Sequence, residues 1–243
     1  MSIEHEEFLS NLQPYNVGLQ HIRLGSPFDG GYVVPLKAVV TSDVFYTFGV
    51  GGDISFEEDV NAFTNKEFCF FDHTIPNIPF SRPNYKFFKH GLGDDNNCRP
   101  YEYYINRLNH AASKIFLKVD IEGGEFEGTI EKIPEALFNN VVCLVLEIHD
   151  VDNLKNVLKF NEISKYLGTW FVLTHTHFNN FGKIFNIFDH KISNAVELTF
   201  VNSKYIECAP TLPCYNYPIY KLDGPNNRNL PDIPLSFIKQ SKV

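Results

Sequence analysis

Residues 46–53 read Tyr46-Thr47-Phe48-Gly49-Val50-Gly51-Gly52-Asp53, an apolar, β-rich run that passes into a turn rich in glycine. The next residues, Ser55-Phe56-Glu57-Glu58, form a capping-box pattern and predict the start of a helix. Open α/β sheets bind nucleotides at a unit of this kind, in which a strand is followed by a glycine-rich turn and a helix. We therefore expect an α/β protein whose ligand cleft lies at this turn.

The rest of the chain contains further strand-like segments around this one. Apolar, β-rich runs lie at 44–48, 68–71, 85–89, 115–119, 141–148, 170–174 and 195–201. The spacers between the first five runs are of helical length, a pattern typical of a parallel sheet with helices on both faces. The spacer between the last two runs lacks a helical stripe. We expect a seven-stranded, mostly parallel sheet with one antiparallel strand at its edge.

The chain of 243 residues is 44% hydrophobic, which is sufficient for the core of one domain. We divide it into a helical or loop cap (1–40), a core sheet (41–205) and a proline-rich tail that wraps the core (206–243). Two helices have readable signals: a weak amphipathic segment at 3–12, and a series that follows Asp152 and stops at Gly168.

Composition excludes several classes of partner. The net charge is −8 and no cluster of lysine or arginine is present, so we do not expect a nucleic-acid ligand. The longest apolar run is too short for a membrane span, and the amino terminus does not read as an export signal. Five cysteines without a Cys-x-x-Cys pair favour a reducing cytoplasm. The oligomeric state stays open.

Several features near the glycine turn predict the kind of ligand. Asp72 ends the second run, roughly 20 residues beyond the turn, where an acidic side chain can bind ribose hydroxyls. A dinucleotide is the obvious competitor, but its motif needs a small residue where this chain has Ile54. Carboxylates at the turn, Asp53 among them, would repel a pyrophosphate and favour a sulfonium with a free amino group, although Glu57 and Glu58 are more simply explained as helix-terminal charges.

The fourth run reads Leu117-Lys118-Val119-Asp120-Ile121-Glu122-Gly123-Gly124-Glu125-Phe126 and places three carboxylates at the end of a buried strand. This run resembles the hallmark of the FkbM family of S-adenosylmethionine-dependent O-methyltransferases. The resemblance spans roughly residues 23–227. It also includes Asp29-Gly30-Gly31-Tyr32, Glu147-Ile148-His149, His175-Thr176-His177-Phe178-Asn179-Asn180, Glu197-Leu198-Thr199 and Asp223-Gly224-Pro225-Asn226. The Gly123-Gly124 pair departs from the single small residue that is common in the family.

The resemblance implies a single Rossmann-like class I methyltransferase domain, with a seven-stranded sheet in which one strand is reversed. It implies that S-adenosylmethionine lies over the ends of the first strands and the acceptor over the fourth to sixth. Carried over by residue, it assigns the methionine part to the glycine turn and Asp53, the ribose to Asp72, and the transferred methyl to the vicinity of Asp120. The Gly91-Leu92-Gly93-Asp94 segment, a weaker motif, would form the loop that faces the adenine. The expected cofactor-binding residues are Gly49, Gly51, Gly52, Asp53, Asp72, Asp94 and Asp120.

An alcohol must lose its proton when it is methylated, so the site needs a proton acceptor. Alternation along the fifth run places Glu147 and His149 on one face, and we expect His149 as general base with Asp120 and Glu147 beside it. The alternative explanation for His149 is an ordinary hydrogen-bonded surface residue. Asp120, Glu147 and His149 are also a candidate ligand set for Mg²⁺ or Mn²⁺. The expected acceptor-binding residues are His177, Asn179 and Glu122.

The predicted function is therefore methyl transfer from S-adenosylmethionine to a carbohydrate hydroxyl, in a sugar nucleotide or a surface-polysaccharide precursor. The choice of a carbohydrate depends on the resemblance alone. Three alternatives remain: methylation of a non-sugar alcohol or an amine, an NAD-dependent oxidoreductase, and a binding protein built on a decayed methyltransferase fold.

Overall fold

A computed structural model describes residues 2–126 and 128–241 of the chain. The strands are β1 (His21–Leu24), β2 (Tyr32–Pro35), β3 (Val44–Phe48), β4 (Glu67–Phe71), β5 (Tyr85–Phe88), β6 (Gly91–Leu92), β7 (Cys98–Arg99), β8 (Ile115–Val119), β9 (Val141–Ile148), β10 (Phe171–Phe178), β11 (Ile184–Ile187), β12 (His190–Ser193) and β13 (Val196–Asn202). The helices are α1 (Ile3–Asn11), α2 (Leu36–Thr41), α3 (Ser55–Thr64), α4 (Tyr101–Leu108), α5 (Glu135–Phe138) and α6 (Leu154–Leu167). Short 3₁₀ turns lie at Gly124–Phe126 and Ile130–Lys132.

A seven-stranded sheet in the order β10-β13-β9-β8-β3-β4-β5 organises the chain. Strands β9, β8, β3, β4 and β5 pair in parallel, whereas β13 is antiparallel to both β9 and β10. The prediction of a seven-stranded, mostly parallel sheet is confirmed. The last two predicted strands do pair antiparallel at the edge of the sheet, but the reversed strand of this pair is β13, which lies one place inside the edge strand β10. The β11–β12 hairpin joins β10 to β13, and β13 then pairs with strands on both of its sides.

Helices cover both faces of the sheet, as the sequence predicts. Alternation along β3 sends Tyr46 and Phe48 into a core that also contains side chains of α1, α4 and α6. Phe45 points to the opposite face and packs in a second core with side chains of α2 and α3. Both cores are apolar, so the sheet is buried on its two sides.

The ends of two helices differ slightly from the sequence prediction. Ser55 is the first residue of α3 and not its cap; the Asp53 carboxylate accepts the Ser55 backbone N–H at 2.7 Å. Helix α6 stops before Gly168 as expected, but its cap is Asn153, whose side chain accepts the Lys155 N–H. The Asp152 carboxylate instead pairs with Lys183.

Parallel pairing brings the carboxyl ends of β3, β4, β8 and β9 to the same end of the sheet. This is the end at which α/β proteins bind ligands. The β1–β2 hairpin packs against the sheet, and the Thr199 hydroxyl of β13 donates to the carbonyl of Val33 in β2. Across residues 2–126 and 128–241, no helix has both the length and the apolar character that crossing a membrane requires.

Candidate functional site

A cleft of about 800 Å³ opens at the carboxyl ends of the parallel strands. Its walls come from the glycine turn after β3, the ends of β4, β8 and β9, the loop that contains Asp94, and Tyr32 of β2. This volume lies within the range of ligand-binding clefts, which bury most of a bound small molecule.

The glycine turn forms the floor of the cleft, and its glycines have different roles. Gly49 has a φ of +76°, and a Cβ at this position would overlap the carbonyl oxygen of Asp120. Only glycine fits there. At Gly51 and Gly52, by contrast, a Cβ would point into open space, so these residues leave room above the backbone.

Asp72 lies at the end of β4 and holds the glycine turn in place. One carboxylate oxygen accepts the backbone N–H groups of Val50 and Gly51, at 2.9 and 3.1 Å. The other accepts the backbone N–H and the hydroxyl of Thr74, at 2.7 and 2.6 Å. Burial favours the neutral acid, but these hydrogen bonds outweigh it and lower the pKa of Asp72. The four lone-pair sites of the carboxylate are already used, so a ribose contact would have to share them.

The remaining residues of the expected cofactor set also line the cleft. Asp53 follows the turn, and the side chain of Asp94 is 75% exposed at the far end, 4.0 Å from Lys132. Asp120 lies where β8 meets the turn, since its N–H donates to the carbonyl of Phe48. The structure thus brings every predicted cofactor residue to one cleft.

A group of three oxygen-bearing side chains lies at the centre of the cleft, two of them buried and the third, Asp120, partly buried. The Tyr32 hydroxyl oxygen is 3.0 Å from Asp120 Oδ2 and 3.1 Å from Glu147 Oε2. Asn179 Nδ2 donates to the other oxygen of Glu147 at 2.9 Å. Burial and the neighbouring carboxylate of Asp120 raise the pKa of Glu147 well above its usual value.

The two carboxyl groups compete for the single hydrogen of the Tyr32 hydroxyl. A tyrosine hydroxyl has one hydrogen and cannot donate to two carboxylates at once. Both contacts can be hydrogen bonds only if one of the two carboxyl groups carries a proton, and the raised pKa of Glu147 favours that residue. The second oxygen of the Asp120 carboxylate, Oδ1, is buried without a hydrogen-bond partner among the described residues. It is available to accept a proton from a bound hydroxyl.

His149 lies beside this group, close to both carboxylates that the sequence analysis places there. The carboxylate that bonds its ring is neither of these, because Nδ1 lies 3.2 Å from fully buried Glu125. Nε2 faces Asp120, Glu122 and Glu147 at 3.9, 3.6 and 3.7 Å. Burial disfavours the imidazolium, yet the Glu125 hydrogen bond and these carboxylates raise the pKa of His149 to about 9. At neutral pH His149 is a cation.

Glu125 and Lys118 are buried beside the group formed by Tyr32, Asp120 and Glu147. The Glu125 carboxylate accepts the backbone N–H groups of Ile121 and Gly123, which fixes the loop after β8. The Lys118 ammonium is buried 3.8 Å from Asp120 Oδ2 and 4.8 Å from the centre of the Tyr32 ring. Burial opposes its charge, but Glu57 and Asp120 outweigh burial and raise the pKa of Lys118.

One group of side chains in the cleft has the composition of a divalent-cation site. Ligand atoms of Asp120, Glu122 and His149 all lie within 4.8 Å of one another. Two of these residues belong to the set predicted from sequence, whereas Glu122 replaces Glu147, which is bound to Tyr32 and Asn179. An oxygen-rich set with one imidazole suits Mg²⁺ or Mn²⁺.

The predicted acceptor-binding residues divide between two places. Glu122 and Asn179 line the cleft, but His177 does not. His177 is 1% exposed, with Nδ1 3.1 Å from Glu197 and Nε2 3.0 Å from Asp232 of the tail. Both ring nitrogens have carboxylate partners, so this structure does not place His177 where it could contact an acceptor in the cleft, and the acceptor-binding role stays a prediction. The residue instead joins the tail to the sheet.

Sequence reasoning missed Tyr32 and Asp29 as parts of the site. Asp29 Oδ1 accepts the side-chain amides of Asn179 and Asn226 at the mouth of the cleft. Both residues belong to the Asp29-Gly30-Gly31-Tyr32 motif, but nothing in that motif indicates that the β1–β2 hairpin folds against β9. Comparison of the chain with protein-family models, with curated proteins and with solved structures gave no match.

Proposed function

We propose that this protein is an S-adenosylmethionine-dependent methyltransferase that acts on a carbohydrate hydroxyl. One observation carries the proposal. An open glycine turn lies in the same cleft as Asp120 Oδ1, a buried carboxylate oxygen that has no hydrogen-bond partner among the described residues. The resemblance to the FkbM family supports the chemistry and the choice of a carbohydrate. The sheet, with one reversed strand, agrees with what that resemblance implies.

The residues of the cleft fit the proposed cofactor. Open space above Gly51 and Gly52 accommodates a ligand that lies against the backbone. Acidic side chains around the turn, such as Asp53, complement the sulfonium and ammonium charges of S-adenosylmethionine. When bound, this cofactor supplies an electrophilic methyl group. The chain itself has to orient the acceptor and remove its proton.

Asp120 is the proposed proton acceptor. As the acceptor oxygen forms its new bond, its proton becomes strongly acidic, so an ionised carboxylate is a sufficient base. Asp120 Oδ1 has no hydrogen-bond partner among the described residues, while Oδ2 lies 3.0 Å from the Tyr32 hydroxyl oxygen and 3.8 Å from the Lys118 ammonium. His149, a cation at neutral pH, offsets the surrounding carboxylates in place of the general-base role expected from sequence.

A metal-assisted version uses the same side chains. Asp120, Glu122 and His149 would hold Mg²⁺ or Mn²⁺, which lowers the pKa of a bound hydroxyl. The imidazolium proton of His149 would have to leave first, so metal binding would release protons and strengthen as pH rises. Loss of activity in EDTA that added Mg²⁺ restores would favour this version.

The test is production of S-adenosylhomocysteine from S-adenosylmethionine with panels of hexosides, non-sugar alcohols and amines. We expect turnover with hexosides, and a loss of about 10²-fold or more in Asp120→Asn with nearly unchanged cofactor affinity. Glu162→Gln, on the exposed face of α6, is the matched control. Turnover with amines only, or normal turnover in Asp120→Asn, would contradict the proposal; reduction of NAD would favour the oxidoreductase alternative.

A further inference from the structure

The charges of the cleft restrict the acceptor. We infer, on the basis of the proposed function, that the acceptor is an uncharged or amino-bearing sugar that carries no phosphate. This inference departs from the sugar-nucleotide class expected from sequence.

Acidic side chains outnumber basic ones along the cleft. The described lining residues include nine aspartates and glutamates but only two lysines and no arginine. Burial raises the pKa of Glu57 and of Glu147, and His149 is cationic, so the excess is reduced without being reversed. The proposed cofactor has a net charge of +1, so a cleft that contains it stays acidic. A phosphorylated acceptor would add negative charge to this acidic cleft.

Neither lysine is placed to bind a phosphate of the acceptor. Lys118 is buried behind the centre, paired with Asp120 and covered by the Tyr32 ring. Lys132 lies beside Asp94, at the end of the cleft assigned to the cofactor. Phosphate-binding sites ordinarily combine arginine or lysine with free backbone N–H groups. The turn N–H groups of Val50 and Gly51 are already donated to Asp72.

The mouth of the cleft offers groups that suit a sugar without phosphate. Phe181 lines the mouth and is 61% exposed, so its ring can pack against the C–H face of a sugar or beneath an ammonium group. Asp29 and Glu122 are exposed carboxylates that line the same cleft, and carboxylates accept hydrogen bonds from hydroxyl or ammonium donors.

The experiment compares three matched panels of hexosides: methyl hexosides, their 2-amino-2-deoxy analogues, and hexose 1-phosphates with the corresponding nucleoside diphosphate hexoses. Transfer is measured as S-adenosylhomocysteine formed, and binding as calorimetric titration of the protein saturated with S-adenosylhomocysteine. We expect kcat/KM to be at least about tenfold higher for the first two panels, because one like-charge contact in such a cleft suffices for this ratio. Raising the ionic strength should reduce the difference.

A charge reversal tests the same point within the protein. Glu122→Lys should shift the preference toward phosphorylated hexosides by about tenfold, whereas Glu162→Lys makes the same change of net charge outside the cleft and should not. Equal or higher kcat/KM for phosphorylated hexosides in the unmodified protein would overturn this inference alone. Absence of both S-adenosylhomocysteine binding and transfer would overturn the proposed function together with it.

Discussion

Replacement of His177 by glutamine should destabilise the protein without weakening acceptor binding. His177 is buried between Glu197 and Asp232, at 3.1 and 3.0 Å, and these contacts raise the pKa of His177 to about 10 in spite of burial. Glutamine has no positive charge and leaves both carboxylates without their cation. Loss of one partner from a buried ion pair costs about 3–5 kcal/mol.

The size and the pH dependence of this effect can both be measured by thermal unfolding. For a domain of this length, about 3–5 kcal/mol corresponds to a fall in Tm of about 6–20 °C. Because the folded pKa of His177 lies above the unfolded value of about 6.5, its contribution is complete below pH 6.5 and is lost as pH rises toward 10. The unmodified protein should therefore lose stability across this window, and the variant should lose less.

A matched histidine separates this effect from a general one. His190 lies at the start of β12, and its side chain has one hydrogen bond among the described residues, to Ser236, so His190→Gln should change Tm little. A His177→Gln protein with an unchanged Tm and a raised KM for the acceptor would refute the structural role and restore the acceptor-binding one predicted from sequence.

Three further predictions concern the cleft. Tyr32→Phe should lower kcat by about 10²-fold and leave S-adenosylhomocysteine affinity nearly unchanged, because Asp120 loses the hydroxyl that lies 3.0 Å from its Oδ2; a normal kcat would exclude Tyr32 from the mechanism. Turnover should fall as pH rises through about 9, where His149 loses its charge, and a rise over the same range would make His149 the general base instead. Gly49→Ala should prevent stable folding, whereas Gly52→Ala should keep the Tm and weaken calorimetric cofactor binding, and equal Tm values for the two variants would contradict the assigned roles.

The sequence predicts the sheet well because each strand is an apolar run with a clear boundary. Alternation along β3 and the helical spacers depend on local periodicity, and these features are confirmed. The place of β13 depends instead on which free strand edge it meets after the β11–β12 hairpin. Every residue of β13 is buried, including the polar Glu197, Thr199 and Asn202, so its sequence does not indicate which strands lie beside it.

The candidate site shows the same division between local and non-local information. Residues that follow strand ends, such as Asp72 and Asp120, are brought together by parallel pairing alone, so their common cleft can be predicted. The partners of the two histidines cannot be predicted in this way. A 3₁₀ turn brings Glu125 to His149, and the tail brings Asp232 to His177. A strand-end histidine has the same local pattern whether it lines a cleft or anchors another segment.

Calorimetric titration of the purified protein with S-adenosylhomocysteine tests the central claim most directly, with NAD as a parallel ligand and EDTA in a repeat. We predict micromolar binding of S-adenosylhomocysteine, with or without EDTA, and no binding of NAD. Binding of NAD alone, or of neither ligand, would contradict the claim that the acidic glycine turn holds S-adenosylmethionine.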